Sequence, residues 1–260
     1  MKNKLHRELA VCGYEAVKAL EKNNSESIRR LYYSADRATQ FGSLCKEMAA
    51  RKAPYNQVES VTELEKLCGS IHHQGVVAMI EEPEIQRLNR DITTQWAENK
   101  ENVLLMDRIG NANNLGAIVR SAAFFGIKNI VIPMDEAQSS ITTSSYRVAQ
   151  GGMEYVHIYC VQSIAHLLSD LKGKMVRLGT DVCAKTPISE ISNLTKVKRS
   201  DGTFDQQGAI VILGNEEKGI SQEVKAGCDY LITIPSVGRE IESLNVAQAA
   251  AVILYEMSKK

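Results

Sequence analysis

Three polar clusters in the second half of the chain carry residue types that can do chemistry. Asn114 and Arg120 stand six residues apart within the stretch Asn114-Leu115-Gly116-Ala117-Ile118-Val119-Arg120, nearly two helical turns, so both can project toward one side at the start of a helix. Gly214-Asn215-Glu216-Glu217-Lys218-Gly219 follows the apolar run Ala209 to Leu213, and Ser236 to Asn245 follows the run Tyr230 to Pro235. Open α/β sheets bind ligands where strands end in glycine and uncharged polar residues, because unpaired backbone groups and helix N-termini converge there. The two junctions read as a cofactor pocket with catalytic polar groups around it. Each residue also has a plainer role available: Arg120 on a solvated helix face, Glu216 complementing a helix dipole, Ser243 and Asn245 as N-caps, Ile234 and Leu244 as core.

The elements that must position these groups alternate between strand and helix. Asn102 to Asp107 reads as a strand, Arg108 to Asn114 as a loop, Leu115 to Phe125 as a helix ended by Gly126 in a left-handed C-cap, and Ile130 to Pro133 as the next strand. Asp135 to Arg147 is rich in Ser and Thr and reads as a long loop with a helical turn. Val156 to Tyr159 and Val176 to Asp181 read as strands around a helix from Ser163 to Leu171. Lys185 to Gln207 is polar and without apolar periodicity, and reads as an insertion. Val246 to Leu254 is apolar nearly all round, which predicts a helix buried on several sides, in a close-packed interior or at a dimer seam. The alternation implies a parallel sheet with helices on both faces.

The first half forms a smaller α/β unit. The spacing predicts a helix from Leu5 to Leu20 interrupted at Cys12-Gly13, a strand from Ile28 to Tyr33, a helix through Phe41, Leu44 and Met48, and a strand at Tyr55 to Val58. A helix capped by Thr62 and a buried strand at Val76 to Ile80 complete it. Glu81-Glu82-Pro83-Glu84 ends this unit, and Ile85 to Asn99, with the single Trp96, reads as a linker helix. The expected division is therefore 1–83, a linker at 84–100, and 101–260.

Across the 260 residues the formal net charge is zero, so a nucleic-acid partner must be held by a local basic patch. Residues 1–52 hold eleven Lys and Arg against six Asp and Glu, a mild excess of that kind. Six scattered cysteines with no metal-ligand spacing point to free thiols in a reducing cytoplasm and to no metal site. No stretch approaches the length of apolar sequence that spans a bilayer, so no membrane partner is expected. The histidines form no constellation with a Ser or Cys nucleophile.

Taken in order, Asn114 to Gly126, Leu213 to Ser221, and Ile234-Pro235 through Ser243-Leu244-Asn245-Val246-Ala247 resemble the three signature motifs of the SpoU, or TrmH, branch of the SPOUT methyltransferases. The first half, including His73-Gln74-Gly75-Val76-Val77-Ala78, is similar to the RNA substrate-binding domain often found ahead of that catalytic domain. The resemblance implies an S-adenosyl-L-methionine-dependent RNA methyltransferase that modifies a ribose 2′-hydroxyl in ribosomal or transfer RNA. It also implies a homodimer and a C-terminal trefoil knot, the latter something that composition and periodicity would not have shown.

By the same resemblance, Asn114, Arg120, Glu216, Ser243 and Asn245 are the catalytic set, and Leu213, Gly214, Asn215, Ile234, Leu244 and Asn245 bind the donor, largely through backbone groups. The family assigns the matching arginine to activation of the 2′-hydroxyl. A guanidinium with a pKa above ~12 is a poor base, so phosphate clamping and stabilisation of the developing alkoxide suit Arg120 better, with proton abstraction open only if a contacting phosphate takes the proton. Arg147 and Gly151-Gly152 fall where the family carries a small-residue stretch near its substrate.

Two departures stand out. Gly238-Arg239-Glu240-Ile241-Glu242-Ser243 is one residue longer than the family spacing, and Gln248 follows where a small hydroxyl residue is common. The longer loop keeps open a second reading, a catalytically silent RNA-binding relative. A Rossmann-type oxidoreductase fits poorly, since no G-x-G-x-x-G follows the first strand of either half.

Overall fold

A computed structural model describes residues 2–3, 8–198, 202–238 and 240–259. It separates into two compact units, residues 1–84 with 140–155, and residues 85–139 with 156–260.

The first unit is built on a five-stranded sheet ordered β1-β2-β5-β3-β4. Its strands are β1 (Lys2–Asn3), β2 (Glu8–Cys12), β3 (Ile28–Tyr33), β4 (Tyr55–Gln57) and β5 (Val76–Glu81). Only β3 and β4 pair in parallel. Around them run α1 (Tyr14–Asn23), α2 (Gly42–Ala50) and α3 (Val61–Cys68). The expected N-terminal helix is corrected here: the segment from Glu8 to Cys12 is a fully buried strand, and the helix starts after Gly13. The Cys12-Gly13 interruption is the strand-to-helix turn, with Gly13 at φ 103°, a value that favours glycine. Residues 5–7 of that expected helix lie outside the described residues.

Ser60, rather than Thr62, caps α3, in a capping box with Glu63. The helix α6 (Thr143–Ala149) also belongs to this unit and packs against β2. The Ser/Thr-rich stretch expected as a long loop with a helical turn therefore carries a helix of seven residues, capped reciprocally by Thr142 and Ser145. Gly151, at φ 91°, comes so close to α1 that an added Cβ would meet the Ala19 Cβ at 2.8 Å. His73 is a satisfied core histidine, its Nδ1 accepting from the Gly75 N–H at 3.0 Å.

The second unit holds an eight-stranded sheet ordered β11-β15-β10-β14-β7-β8-β9-β6, and every pairing in it is parallel. In chain order the elements are β6 (Gln86–Arg87), α4 (Arg90–Glu98), β7 (Val103–Met106), α5 (Ala112–Phe124), β8 (Asn129–Pro133), β9 (His157–Val161), α7 (Ile164–Asp170) and β10 (Val176–Thr180). Then come β11 (Thr186–Pro187), α8 (Ile191–Leu194), β12 (Lys196–Lys198), β13 (Phe204–Gln206), β14 (Ala209–Leu213), α9 (Gln222–Gly227), β15 (Tyr230–Thr233) and α10 (Val246–Ser258). β7, β8 and β14 are buried along their length, as strands covered on both faces must be.

Alternate strand residues serve opposite faces. Val103, Leu105, Val131, Ile210 and Ile212 pack with Leu167, Leu168, Val224 and Trp96. Trp96 anchors α4 in this core, so the stretch read as a linker is structural. α5 and α10 pack on each other. Arg177 on β10 is buried and bound to Asp229 and to the Leu168 carbonyl, Nη1 to O 3.0 Å. The stretch read as a polar insertion, 185–207, is partly regular: β11 extends the sheet, and β12 and β13 form an antiparallel hairpin. Residues 199–201 lie outside the described residues. No described helix is long and apolar enough to cross a membrane.

Candidate active site

β7, β14, β10 and β15 lie side by side, and the carboxyl ends of β14, β10 and β15 with the loops leaving them line an open cavity of about 900 Å³. Its wall includes Thr180 and Asp181 after β10, Leu213 to Ile220 after β14, and Thr233 to Val237 with Ile241 to Leu244 after β15. Val246, Ala249 and Ile253 of α10 close one side.

The loop after β14 is pinned to itself. An added Cβ on Gly214 would lie 2.4 Å from the Gly219 carbonyl carbon and 2.5 Å from the Ile220 nitrogen, so only glycine lets the two backbone segments approach. Asn215 holds the turn: its Oδ1 accepts from the N–H groups of Glu217 and Lys218 at 3.0 and 3.1 Å, and its Nδ2 donates to the Arg108 carbonyl at 3.0 Å. That carbonyl sits in a loop fixed on its other side by Gln138, which donates to and accepts from the Ile109 backbone at 3.1 and 2.9 Å. Arg108 itself, at φ 58°, forks onto the buried Asp107 carboxylate at 2.8 and 3.0 Å, a pairing that raises its pKa.

α5 begins three residues earlier than the apolar pattern indicates, because Asn111 caps it, accepting from the Asn113 N–H at 2.8 Å. Asn114 thereby falls in the first helical turn. Its Nδ2 donates to Glu216 Oε1 at 2.5 Å, and its Oδ1 accepts from Asn245 Nδ2 at 3.3 Å. Asn245 is at the same time the N-cap of α10, its Oδ1 accepting from the Ala247 N–H at 2.9 Å. Three residues far apart in sequence thus form one hydrogen-bond chain that meets the cavity wall at Glu216, each amide orientation set by its neighbours.

The other expected residues are distributed unevenly. Leu213 is buried and Gly214 and Ile234 partly so along the wall, while Ser243 and Leu244 are exposed at its edge. Arg120 is solvent-exposed, with no hydrogen bond or ion pair among the described residues, and does not line the cavity. The shared side expected of Asn114 and Arg120 is not what the fold shows. Six residues turn an α-helix by about 600°, which leaves the two side chains roughly 120° apart. Arg239, in the lengthened loop, lies outside the described residues. Val237, Ile241 and Leu244 of that loop are exposed. Arg147 and Gly151-Gly152 cluster with the first unit.

Residue spacing gave no sign of Asp181 and Lys225, which face the cavity as an ion pair. The hydrogen bond from Lys225, aided by the Cys183 N–H, holds the Asp181 carboxyl below the usual carboxylate range. Nor was Gln138 visible, an ordinary loop glutamine in sequence. No three His, Cys, Asp or Glu side chains gather into a metal-binding group among the described residues.

Comparison with known proteins finds matches over most of the sequence. Residues 101–255 match the SpoU rRNA Methylase family, and residues 10–86 match the RNA 2'-O ribose methyltransferase substrate binding family. The 23S rRNA (guanosine-2'-O-)-methyltransferase RlmB of Acinetobacter baylyi is 30% identical over 254 residues, covering 95% of this chain and 96% of that one. Its counterpart in Bordetella pertussis is 30% identical over 247 residues, covering 95% of each. The crystal structure of the SpoU methyltransferase AviRb from Streptomyces viridochromogenes, in complex with the cofactor AdoMet, shares the fold with a TM-score of 0.72 at 21% identity, over 97% of this chain and 90% of that one. With the methylase match spanning 101–255 and relatives aligned across nearly all of the sequence, the chain belongs to the SpoU rRNA methylase family.

Proposed function

We propose that this protein transfers a methyl group from S-adenosyl-L-methionine to a ribose 2′-hydroxyl of ribosomal RNA. The observation that carries the proposal is the chain Asn245–Asn114–Glu216, which meets the 900 Å³ cavity at Glu216, in a member of this family. The relatives named for guanosine in 23S rRNA make a large-subunit guanosine the first substrate to test. Residues 1–84 with 140–155 hold the RNA, and residues 85–139 with 156–260 carry the transfer.

The residues present fit the donor. The cavity lies in the size range of small-molecule sites, and Gly214 leaves bare backbone against it. Leu213, Gly214, Asn215, Ile234, Leu244 and Asn245 hold the adenosine through backbone groups and apolar walls. When bound, the donor supplies an electrophilic methyl group. Asn114, fixed by Glu216 and Asn245, orients the ribose hydroxyl, with Ser243 beside it. The guanidinium of Arg120 clamps a phosphate and stabilises the alkoxide as the hydroxyl proton passes to solvent.

A homodimer accounts for what the single chain leaves open. Phe124 on α5 is 82% exposed and Tyr255 on α10 is 52% exposed, with Phe125 and Tyr255 rings 6.2 Å apart between them. Arg120 and Phe124 are four residues apart and share a helix face. A second copy seated on that face buries the aromatics and delivers Arg120 to the interface rather than into its own chain's cavity. The trefoil knot is supported by β15 crossing β10 to pair on its far side, after which α10 returns to α5. The enzyme is assigned to the cytoplasm.

The test is methyl transfer from labelled donor to ribosomal RNA, with Arg120→Ala as the control, alongside sedimentation for the dimer. Calorimetry with S-adenosylhomocysteine separates the silent relative that the longer Gly238 to Ser243 loop keeps open. Absence of both donor binding and transfer would overturn the enzymatic reading.

A further inference from the structure

The hairpin β12–β13 projects a cationic and aromatic face that the methyl-transfer chemistry does not use. Its register pairs Lys196 with Gln206, Val197 with Asp205 and Lys198 with Phe204. Paired residues share a face and successive residues alternate, so Lys196, Lys198, Phe204 and Gln206 lie on one side and Val197 and Asp205 on the other. The one described carboxylate of the hairpin is thus turned away from the lysines, and it is bound to Lys100 at 2.6 Å. On the first face Phe204 is 67% exposed, both lysines are exposed, and Lys198 has no hydrogen bond or ion pair among the described residues. Lys196 reaches only the Asn193 amide oxygen, at 3.4 Å. The strands are anchored at their base, where Thr195 accepts a hydrogen bond from the Gln206 amide and is itself bound to the Ile191 carbonyl at 2.9 Å.

We propose that this face is a second RNA contact of the enzyme, in which Phe204 stacks on an unpaired base while Lys196 and Lys198 meet the phosphates on either side. The inference rests on the RNA-methyltransferase reading and extends it to an element outside the three motifs. Charge complementarity selects the occupant. A face with two lysines, a protruding ring and no facing carboxylate among the described residues suits a polyanion with stackable bases, and an apolar partner would leave both ammonium groups desolvated. A chain with zero net charge needs local patches of this kind to hold RNA.

The experiment measures binding of the full-length protein to ribosomal RNA fragments across a salt series, for wild type, Phe204→Ala, Phe204→Trp and the double variant Lys196→Ala/Lys198→Ala. All three substituted side chains are on the surface, and S-adenosylhomocysteine binding by calorimetry reports that the second unit is intact. Loss of one stacked base weakens RNA binding about tenfold in Phe204→Ala, with Phe204→Trp near wild type. The lysine pair lowers the slope of log K against log salt by roughly 1.4 on single-stranded RNA. Unchanged RNA affinity and slope would overturn the hairpin contact alone. A shift in oligomeric state on sedimentation with RNA affinity intact would assign the face to a second copy of the chain and overturn it likewise. If wild type bound S-adenosylhomocysteine but no RNA, the broader reading would fall with it.

Discussion

Replacing Gly214 by alanine tests how the donor site is built. The added methyl carbon would stand 2.4 Å from the Gly219 carbonyl carbon, 2.5 Å from the Ile220 nitrogen and 2.9 Å from the Gly219 Cα. Comfortable carbon contacts lie near ~3.5–4.0 Å, so the two backbone segments must part by more than about 1 Å. All three colliding atoms are backbone, so no side-chain rotation relieves them. The hydrogen bond from the Gly219 N–H to the Asn215 carbonyl, 2.9 Å long, is stretched first, and the turn that positions Glu216 opens with it. Overpacking of this kind costs about 1–3 kcal/mol, which is roughly 5- to 150-fold in affinity if the cost falls on the bound state. Calorimetry with S-adenosylhomocysteine reads this directly, and thermal unfolding shows how much of the cost falls on the fold instead. Gly219→Ala is the control. An added Cβ there meets nothing within 4 Å, and at φ 62° it carries only the left-handed backbone cost of about 1–2 kcal/mol, which Gly219→Asn largely avoids. If Gly214→Ala matched wild type in both binding and melting temperature, the close approach of these segments would not be what shapes the donor site.

Asn114→Ala cuts the chain between Asn245 and Glu216, and methyl transfer should fall about 10²-fold while S-adenosylhomocysteine still binds, as measured by single-turnover kinetics beside calorimetry. Asp229→Ala leaves the buried Arg177 unpaired and should cost about 3 kcal/mol in denaturant unfolding. Burial pushes the Asp229 carboxyl up, but the Arg177 hydrogen bonds outweigh it and its net pKa is lowered. The stabilisation is therefore complete above the unfolded value near ~3.9 and lost as pH falls through the folded one, so wild type and variant should converge in acid. Glu154 has the opposite sign, since burial holds its carboxyl above the usual range against hydrogen bonds with Asn24 and Tyr146. Its contribution is best below about pH 4.3 and declines as pH rises through the folded pKa, so Glu154→Gln should melt higher than wild type at neutral pH and lose that advantage in acid.

What could be read ahead of the structure follows from where burial leaves a periodic trace. β7, β8 and β14 are continuous apolar runs because both faces are covered, and the parallel sheet follows from them. The segment Glu8 to Cys12 deceived because Leu9 and Val11 satisfy a strand's alternation while also falling near the apolar spacing of the helix that follows. The β12–β13 hairpin was invisible for a different reason: strands wet on both faces carry no apolar rhythm at all. At the active site the ambiguity lay in posing cap against catalyst as alternatives. Asn245 uses Oδ1 to cap α10 and Nδ2 to hold Asn114, so one side chain both starts the helix and joins the hydrogen-bond chain to Glu216. Arg120 was set beside Asn114 by counting whole turns, although six residues leave the two side chains roughly 120° apart around the helix. The contact that matters, Asn245 to Asn114, spans 131 residues and arises only because β15 crosses β10 and α10 returns to α5. Topology, which local pattern does not encode, converts three separate motifs into one constellation.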